Sequence, residues 1–483
     1  MDVGEALSPT HVRVIETGST RPPPEARYCA LSHCWGPPSS ITTQLNKHTY
    51  EEYTTEGIAV TDLPKTFHDA VAFTRTLGCR YIWIDSLCII QKNKEDWIRE
   101  GGHMCEVYEH SLVTLAAASS SSGHGGLFYD SPRLDITREG HTVHAKFDVN
   151  HRFFSFPLMN RAWVLQERLL SPRTLYFTKQ ELVWECRERN ICQCSPILGG
   201  FQHQVAGFPV NSKIQPPSTV GYYEQNPQAL VWKWHEVVQV YSQLQLTQPT
   251  DKIMAVDGVA QFMAPIRKST CLAGLWQDSF AWDLVWWVDM FDWGRTRTLD
   301  WLVPSWSWAS MGREARWHSE DIQACQPEKH FCVAAWPEPR MMHGIPHWED
   351  KEYGKPLQLQ GIVVQTTTAE VDLVVNSSPC LYEDVEDWTP SEGHTKDDEP
   401  LYCLRLLQSK DRAYSLALRR VGDEDPNTFA RHGLLVYMAD PEEDNDVWNN
   451  RDTKPRHKFS PRDYRKGYPS WWSEGDLKTI SIV

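Results

Sequence analysis

The sequence predicts an α/β fold: a parallel sheet with flanking helices in the N-terminal part, then a mainly helical region and a β-rich C-terminal region. Three observations predict it. Between residues 28 and 186, short apolar runs alternate with segments of helical period, the pattern of strands joined by crossover helices. The run Arg80-Tyr-Ile-Trp-Ile-Asp85 is apolar without alternation, as in a strand covered on both faces. Beyond about residue 330 the helical period fades and strand-like runs take over.

Each element has its local reason. Residues 1–27 end in the stiff Pro22-Pro23-Pro24 and read as a linker, and 28–200 as the α/β domain. Residues 28–35 form the first strand, closed by Gly36-Pro37-Pro38. A helix opened by Thr61 or Asp62 and Pro64 puts Phe67, Ala70, Val71, Thr74 and Leu77 on one face and stops at Gly78. Residues 80–85 are the second strand. Residues 95–111 form a second helix with Trp97, Met104 and Tyr108 inward, weakened by Gly101 and Gly102 at about 1 kcal/mol each. The third strand spans 112–118. A small-residue loop, 119–126, then reads as mobile, ordering on a ligand, and an insertion runs to about Pro157. Asn160 is placed to cap a short helix, 161–170, stopped by Ser171-Pro172; strands at 174–177 and 181–186 follow.

Residues 201–325 form the helical region, with helices at 229–244, 250–264 and 272–288. Residues 326–483 form the β-rich region, with strands at 357–364, 368–375, 402–407, 414–421 and 433–438. Residues 381–400 carry eight acidic side chains and one Lys, a solvated loop.

Composition excludes several classes of function. The 483 residues hold 48 Lys and Arg against 63 Asp and Glu, a net charge of -15, so no global field draws the chain to phosphate backbones and no nucleic-acid partner is expected. The 13 Cys have no regular spacing and several sit inside apolar runs, which suits buried thiols in a reducing compartment. No apolar stretch reaches the roughly 18 residues of a membrane span, and residues 1–13 have no apolar signal core. A soluble, unsecreted, cytoplasmic protein is expected. The 22 Trp are unusual and suit both core and groove lining.

Ordered blocks in the first third carry a resemblance. They are Tyr28-x-Ala-Leu-Ser-His-Cys-Trp-Gly36, Leu63-Pro-Lys-Thr-Phe-x-Asp-Ala70, Arg80-Tyr-Ile-Trp-Ile-Asp-Ser-Leu-Cys-Ile-Ile-Gln91, Asp96-Trp97, Val107-Tyr108 and Arg161-x-Trp-x-x-Gln-Glu167. Together they resemble the fungal heterokaryon incompatibility (HET) domain over about residues 28–190. Ser305-Trp-Ser-Trp-Ala-Ser310 resembles a patch in the tails of such proteins. Two departures are His33, where Tyr is common, and the glycines after Glu100. The resemblance implies a role in non-self recognition and the programmed cell death that follows. HET domains in turn resemble TIR domains, which implies a TIR/flavodoxin-like sheet and cleavage of the nicotinamide–ribose bond of NAD by a glutamate on a short helix. NAD would be the substrate, and no cofactor is required. The alternative is a non-catalytic signalling or self-association module that binds an incompatibility partner protein.

On that implication Glu167 is the catalytic candidate. Trp163 lies four residues earlier on the same helical face and would place an indole beside the carboxylate. The competing reading is a surface glutamate paired with Arg161 or Arg168. Ser32, Trp35 and Gly36 lie at the carboxyl end of the first strand, where open α/β sheets bind ligands; otherwise they build a tight turn over a core indole. Asp85 and Ser86 end the second strand, with Gln91 beyond, and either hold ribose hydroxyls or cap their own turn. Cys34 or Cys88 with His33 could make a thiol nucleophile and base, but apolar flanks favour inert buried thiols. Cys186, Cys192, Cys194 and His203 lack the paired knuckles of a zinc site, and no metal is expected. Glu100 and Met104 read as a structural pair. Ser305 to Trp308 read as packing the second half onto the first, or as a partner groove.

Overall fold

The computed structural model describes residues 1–4, 10–17, 26–130, 133–138, 141–146, 155–193, 213, 226, 228–288, 303–337, 340–342, 345–347, 356–367, 380–384, 400–410, 412–422, 425–438 and 475–483. They fall into two compact units. The first is Met1–Gln225 with Leu244–Ile266, and the second is Asn226–Gln243 with Arg267–Val483. Among the described residues no helix is long and apolar enough to cross a membrane.

The first unit is built on a six-stranded sheet. Its strands are β1 (Tyr28–Ser32), β2 (Tyr81–Ile84), β3 (Val113–Ala116), β4 (Arg173–Phe177), β5 (Leu182–Cys186) and β6 (Asn190–Cys192). Across the sheet they run β6-β5-β4-β3-β1-β2. The pairs β2-β1, β1-β3 and β3-β4 are parallel, and β4-β5 and β5-β6 are antiparallel. Parallel strands need crossovers, and helices supply them. These are α1 (Lys65–Thr76), α2 (Lys94–Glu109) and α3 (Ala162–Leu170).

Alternation along the strands assigns each helix a face. Cys29, Leu31, Ile82, Ile84, Val113 and Leu115 point to one side and bury Phe67, Ala70 and Val71 of α1. Ala30 and Trp83 point to the other, where Met104 and Tyr108 of α2 and Trp163 of α3 pack. Each such large side chain contributes roughly 1.5–3 kcal/mol. Leu77, expected on the inner face of α1, is 42% exposed because the helix ends at Thr76 and the chain turns away.

The helix ends show where local signals hold and where they yield. Asn93 caps α2, its side chain accepting from the Glu95 and Asp96 amides. Asn160 does not cap α3. It closes the turn Pro157–Asn160, and the N-cap position falls to Arg161, which puts no side chain on the free amides. The 119–126 loop is pinned rather than mobile: Thr66 N donates to Gly123 O at 2.9 Å, Gly126 N to Thr66 Oγ1 at 3.0 Å and Leu127 N to Asp69 Oδ2 at 2.9 Å.

Two further helices are α4 (Ala229–Tyr241), in the second unit, and α5 (Met254–Arg267), which the first unit claims to Ile266. Residues 272–288 are not the single helix expected. Cys271–Leu272 and Leu275–Trp276 pair as a hairpin whose turn residues, Ala273 and Gly274, have φ of 46° and 84°. That turn imposes left-handed backbone no helix accepts, and the helical part shrinks to Phe280–Asp283.

Strands β7 (Leu357–Thr367), β8 (Pro400–Gln408), β9 (Arg412–Arg420), β10 (Thr428–Met438) and β11 (Asp476–Ile482) close a ring in the second unit. Neighbours pair β7-β8, β8-β9, β9-β10, β10-β11 and β11-β7, with β10-β11 alone parallel. The expected strand at 368–375 and most of the acidic loop, 385–399, lie outside the described residues, while 380–383 pairs with β10. The tryptophan patch belongs to this unit's own core. Trp306 and Trp308 are buried, the Trp308 Nε1 donates to Gly274 O at 3.0 Å, and Ser307 Oγ donates to Ala273 O at 2.6 Å. Its burial there leaves no groove for a partner at these two rings.

Candidate active site at the strand ends

The carboxyl ends of β1 and β2 and the inner face of α3 bring most of the expected residues together. Glu167 is 7% exposed, and burial pushes its carboxyl up to about 7. The Asp85 charge adds to that rise, while Ser32, Arg161 and Tyr108 oppose it. Arg168 is not the partner proposed for Glu167; its fork is taken by Glu185. Arg161 stabilises the carboxylate from a distance, and its Nη1 donates to His33 O.

Asp85 begins a short helix, Asp85–Cys88, directly after β2. Its Oδ1 accepts the Ser86 amide at 2.7 Å and its Oδ2 accepts the Trp35 indole N–H at 2.7 Å. Asp85 therefore caps its own turn and fixes Trp35. The indole is half-buried and held by its edge. Gln91 Nε2 braces the same turn through Asp85 O at 3.3 Å and Ile89 O at 2.9 Å. Gly36 has φ +81°, and a Cβ there would lie 2.5 Å from Ser40 Oγ and 2.6 Å from Ser122 Cβ, so nothing larger fits the loop that carries Trp35.

Four buried polar atoms here make no well-formed hydrogen bond within the protein, Ser32 Oγ, His33 Nδ1, Ser86 Oγ and Glu167 Oε2, although Ser32 lies close enough to the Glu167 carboxyl to favour its ionised form. His33 Nδ1 stands 3.6 Å from Asp85 Oδ1, and burial lowers the imidazole's affinity for a proton although Asp85 favours it. Leaving one such group dry and unpaired costs about 1–3 kcal/mol, and native interiors rarely tolerate it without a purpose. Four together, beside a carboxyl and a guanidinium, make a place for a polar ligand.

Two groups were missed as site residues by sequence reasoning, though both stand in the quoted blocks. Tyr108 of α2 donates to Leu31 O at 3.3 Å and reaches the Glu167 carboxyl; Arg161 had been weighed merely as an ion-pair partner. Trp163 is engaged elsewhere. Its Nε1 donates to Asp251 Oδ2 at 3.3 Å and its ring meets Trp97 edge-on at 6.3 Å. Four residues is one helical turn, but α3 presents Trp163 to the layer formed by α2 and residues near Asp251.

Cys34 behaves as inert core. Burial pushes the Cys34 thiol up, which removes the thiolate a nucleophile needs. Cys186 and Cys192 sit on a β5-β6 hairpin; Cys194 and His203 lie outside the described residues, and among the described residues no metal-binding group of His, Cys, Asp or Glu occurs. A cavity of about 640 Å³ beside the edge strand β2 is lined by Tyr28, Tyr81, Trp83, Asp96 and Arg99, and by none of Ser32, Trp35, Asp85 or Glu167.

Residues 28–167 match the family model of the heterokaryon incompatibility protein (HET). This stretch is a HET domain. The matched stretch opens at the first residue of β1 and closes at Glu167, so it contains every candidate site residue, with β4, β5 and β6 following it. The HET domain points to a role for the chain in heterokaryon incompatibility. No curated protein and no solved structure matches the chain.

Proposed function

We propose that the HET domain cleaves the nicotinamide–ribose bond of NAD and that this activity makes the chain a cell-death effector of fungal non-self recognition. The observation that carries the reading is the buried Glu167 carboxyl with an unpaired oxygen, surrounded by unpaired polar atoms at the strand ends. Its position supports the reading too. The parallel part of the sheet runs second, first, third, fourth, an order found in doubly wound sheets, whose ligands bind where the order reverses, here between β1 and β3.

The chemistry asks little of an acid. The C1′–N bond breaks with its electron pair leaving on the nicotinamide ring, which departs neutral. Positive charge develops on the ribose, and the Glu167 carboxylate steadies it in a dry site. Water oxygen then bonds to C1′ and its proton passes to Glu167, giving ADP-ribose, nicotinamide and one proton. A carboxyl near 7 is suited to that exchange. Ser32, Ser86 and Asp85 would meet ribose hydroxyls, and Trp35, its edge tied to Asp85, would offer its ring face to the nicotinamide. No cofactor is called for. Cys29, Cys34, Cys79, Cys88 and Cys105 are free thiols, which suits the reducing cytoplasm that holds NAD.

The test is nicotinamide release from NAD by the full chain, with Glu167→Ala beside it. Release by the wild type and a loss of about 100-fold or more in the variant are expected. No release by the assembled wild type would end the enzymatic reading and leave a self-association or signalling module. Equal release by the variant would remove Glu167 from the mechanism.

A further inference from the structure

Three contacts on α3 come from chain that lies beyond the matched HET stretch. The first is at its start. Arg161, the N-cap, puts no side chain on the helix amides, and the backbone of Gln245 takes that place: Ala162 N donates to Gln245 O at 2.9 Å and Gln245 N to Asn160 O at 2.7 Å. The second is the Trp163 indole, which donates to Asp251 Oδ2 at 3.3 Å. The third is a close approach. Gly258 of α5 faces Gln166, and a Cβ there would lie 2.5 Å from Gln166 Oε1 and 2.9 Å from Cys105 Cβ of α2, so only glycine lets the three helices meet.

The contacts fall at positions 162, 163 and 166, within about a turn and a half of Glu167. They fix both where the helix begins and how it is rotated about its axis. Rotation matters because neighbouring helical residues point about 100° apart, and a misplacement of about 1 Å at a working group costs catalysis about a hundredfold. All three partners belong to Leu244–Ile266, which folds with the first unit although the chain before and after it, Asn226–Gln243 and Arg267–Val483, belongs to the second.

We propose that Leu244–Ile266 is the positioning segment of the candidate site: through Gln245, Asp251 and Gly258 it seats α3 so that Glu167 is held at the strand ends away from water. The inference rests on the NAD reading for the role of Glu167, while the seating of the helix is independent of the ligand. None of the three residues touches the reacting atoms. They act through α3. The site is therefore completed by chain outside residues 28–167, and that chain is joined covalently to the second unit at both of its ends.

The experiment reads the Glu167 carboxyl itself. Full-length chain is unfolded by denaturant across about pH 4 to 9, with and without Glu167→Gln, in the wild-type, Gly258→Ala and Trp163→Phe backgrounds, and the pH at which the paired curves stop parting gives the Glu167 midpoint. Asp85, Arg161, Tyr108 and Cys34, ionisable groups that face Glu167, are the same in every protein. From about 7 in the wild type, the midpoint should fall by about one unit in Gly258→Ala, about a tenfold loss of proton affinity, because parting the helices admits water. Trp163→Phe keeps a ring and loses the N–H donor; its midpoint should fall about half as far, and it carries the test if Gly258→Ala does not fold. Lower stability with an unmoved midpoint in both variants overturns the proposal, because a merely structural contact would do that. A midpoint that falls while the wild type releases no nicotinamide keeps the positioning and ends the NAD reading.

Discussion

Glu167 and Glu185 are both buried carboxyls of the first unit, yet they sit in opposite circumstances. Glu185, on β5, is closed on all sides. Arg168 Nε and Nη2 donate to it at 2.9 and 2.8 Å, the Tyr176 hydroxyl donates as well, and the Lys213 ammonium stands at 3.9 Å. Glu167, one residue before Arg168 on α3, keeps an oxygen with no partner. Adjacent residues on a helix point about 100° apart, so α3 faces a completed ionic core with one side chain and an open polar site with the next. Closure marks a group that holds the fold. An opening marks a group kept for something else.

The largest expected effect breaks the closed side. Glu185→Ala would strand the Arg168 guanidinium and Lys213 in the interior, at a cost of about 3–5 kcal/mol. Denaturant unfolding of the full chain would read it. The same measurement on Glu167→Ala should give a far smaller loss, because no buried cation depends on that carboxyl for a direct ion pair. Equal losses would erase the distinction between the two sites.

The next effect is a dependence on pH that belongs to Glu167. Its folded-state pKa is raised from 4.5 to about 7 by burial. The sign follows from linkage. Below about 4.5 the carboxyl is protonated in both states and the folded protein bears no penalty. Between there and about 7 the unfolded chain loses the proton and the folded chain keeps it, so stability falls. Above 7 both are ionised and the full penalty, on the order of 3 kcal/mol, has been lost from the folded state. Glu167→Gln cannot ionise and should match the wild type near pH 4.5 while exceeding its stability at pH 8. Parallel stability curves for the two proteins would place Glu167 in a wetter site than its burial indicates.

These contrasts also mark how far the sequence could be read. The parallel strands and the helices α1, α2 and α4 follow from apolar period, because each buries a face that its own residues define. The convergence of Ser32, Trp35, Asp85 and Glu167 followed from topology, since all end strands or face them. What could not be read are relations between distant residues. Nothing local to Lys213 tells that its ammonium is buried against Arg168 O and Thr174 Oγ1 at 2.7 and 2.8 Å. Residues 272–288 have the composition of a helix, and a left-handed turn at Ala273 and Gly274 overrides it because the Trp234 and Trp308 N–H groups both seek Gly274 O. Trp163 was placed beside Glu167 by spacing, and a partner 88 residues away, Asp251, turned it aside.

The smallest expected effect compares two tyrosines, one for each carboxyl. Tyr176 donates to the ionised Glu185 within a sealed network, so Tyr176→Phe removes a hydrogen bond to a charge and should cost about 1.5–3 kcal/mol. Tyr108 donates to a neutral carbonyl, Leu31 O, at 3.3 Å, and Tyr108→Phe should cost about 1 kcal/mol. The two differ in a second way. The Tyr108 hydroxyl favours the ionised form of Glu167, so its removal should carry the midpoint of the Glu167 titration upward, and with it the acid limb of nicotinamide release. Tyr176 is bound to a carboxylate that the reaction does not use, and its loss should leave that midpoint where it was. A pH–rate profile that moves in Tyr176→Phe and not in Tyr108→Phe would assign the titrating carboxyl to the closed site and overturn the division between the two.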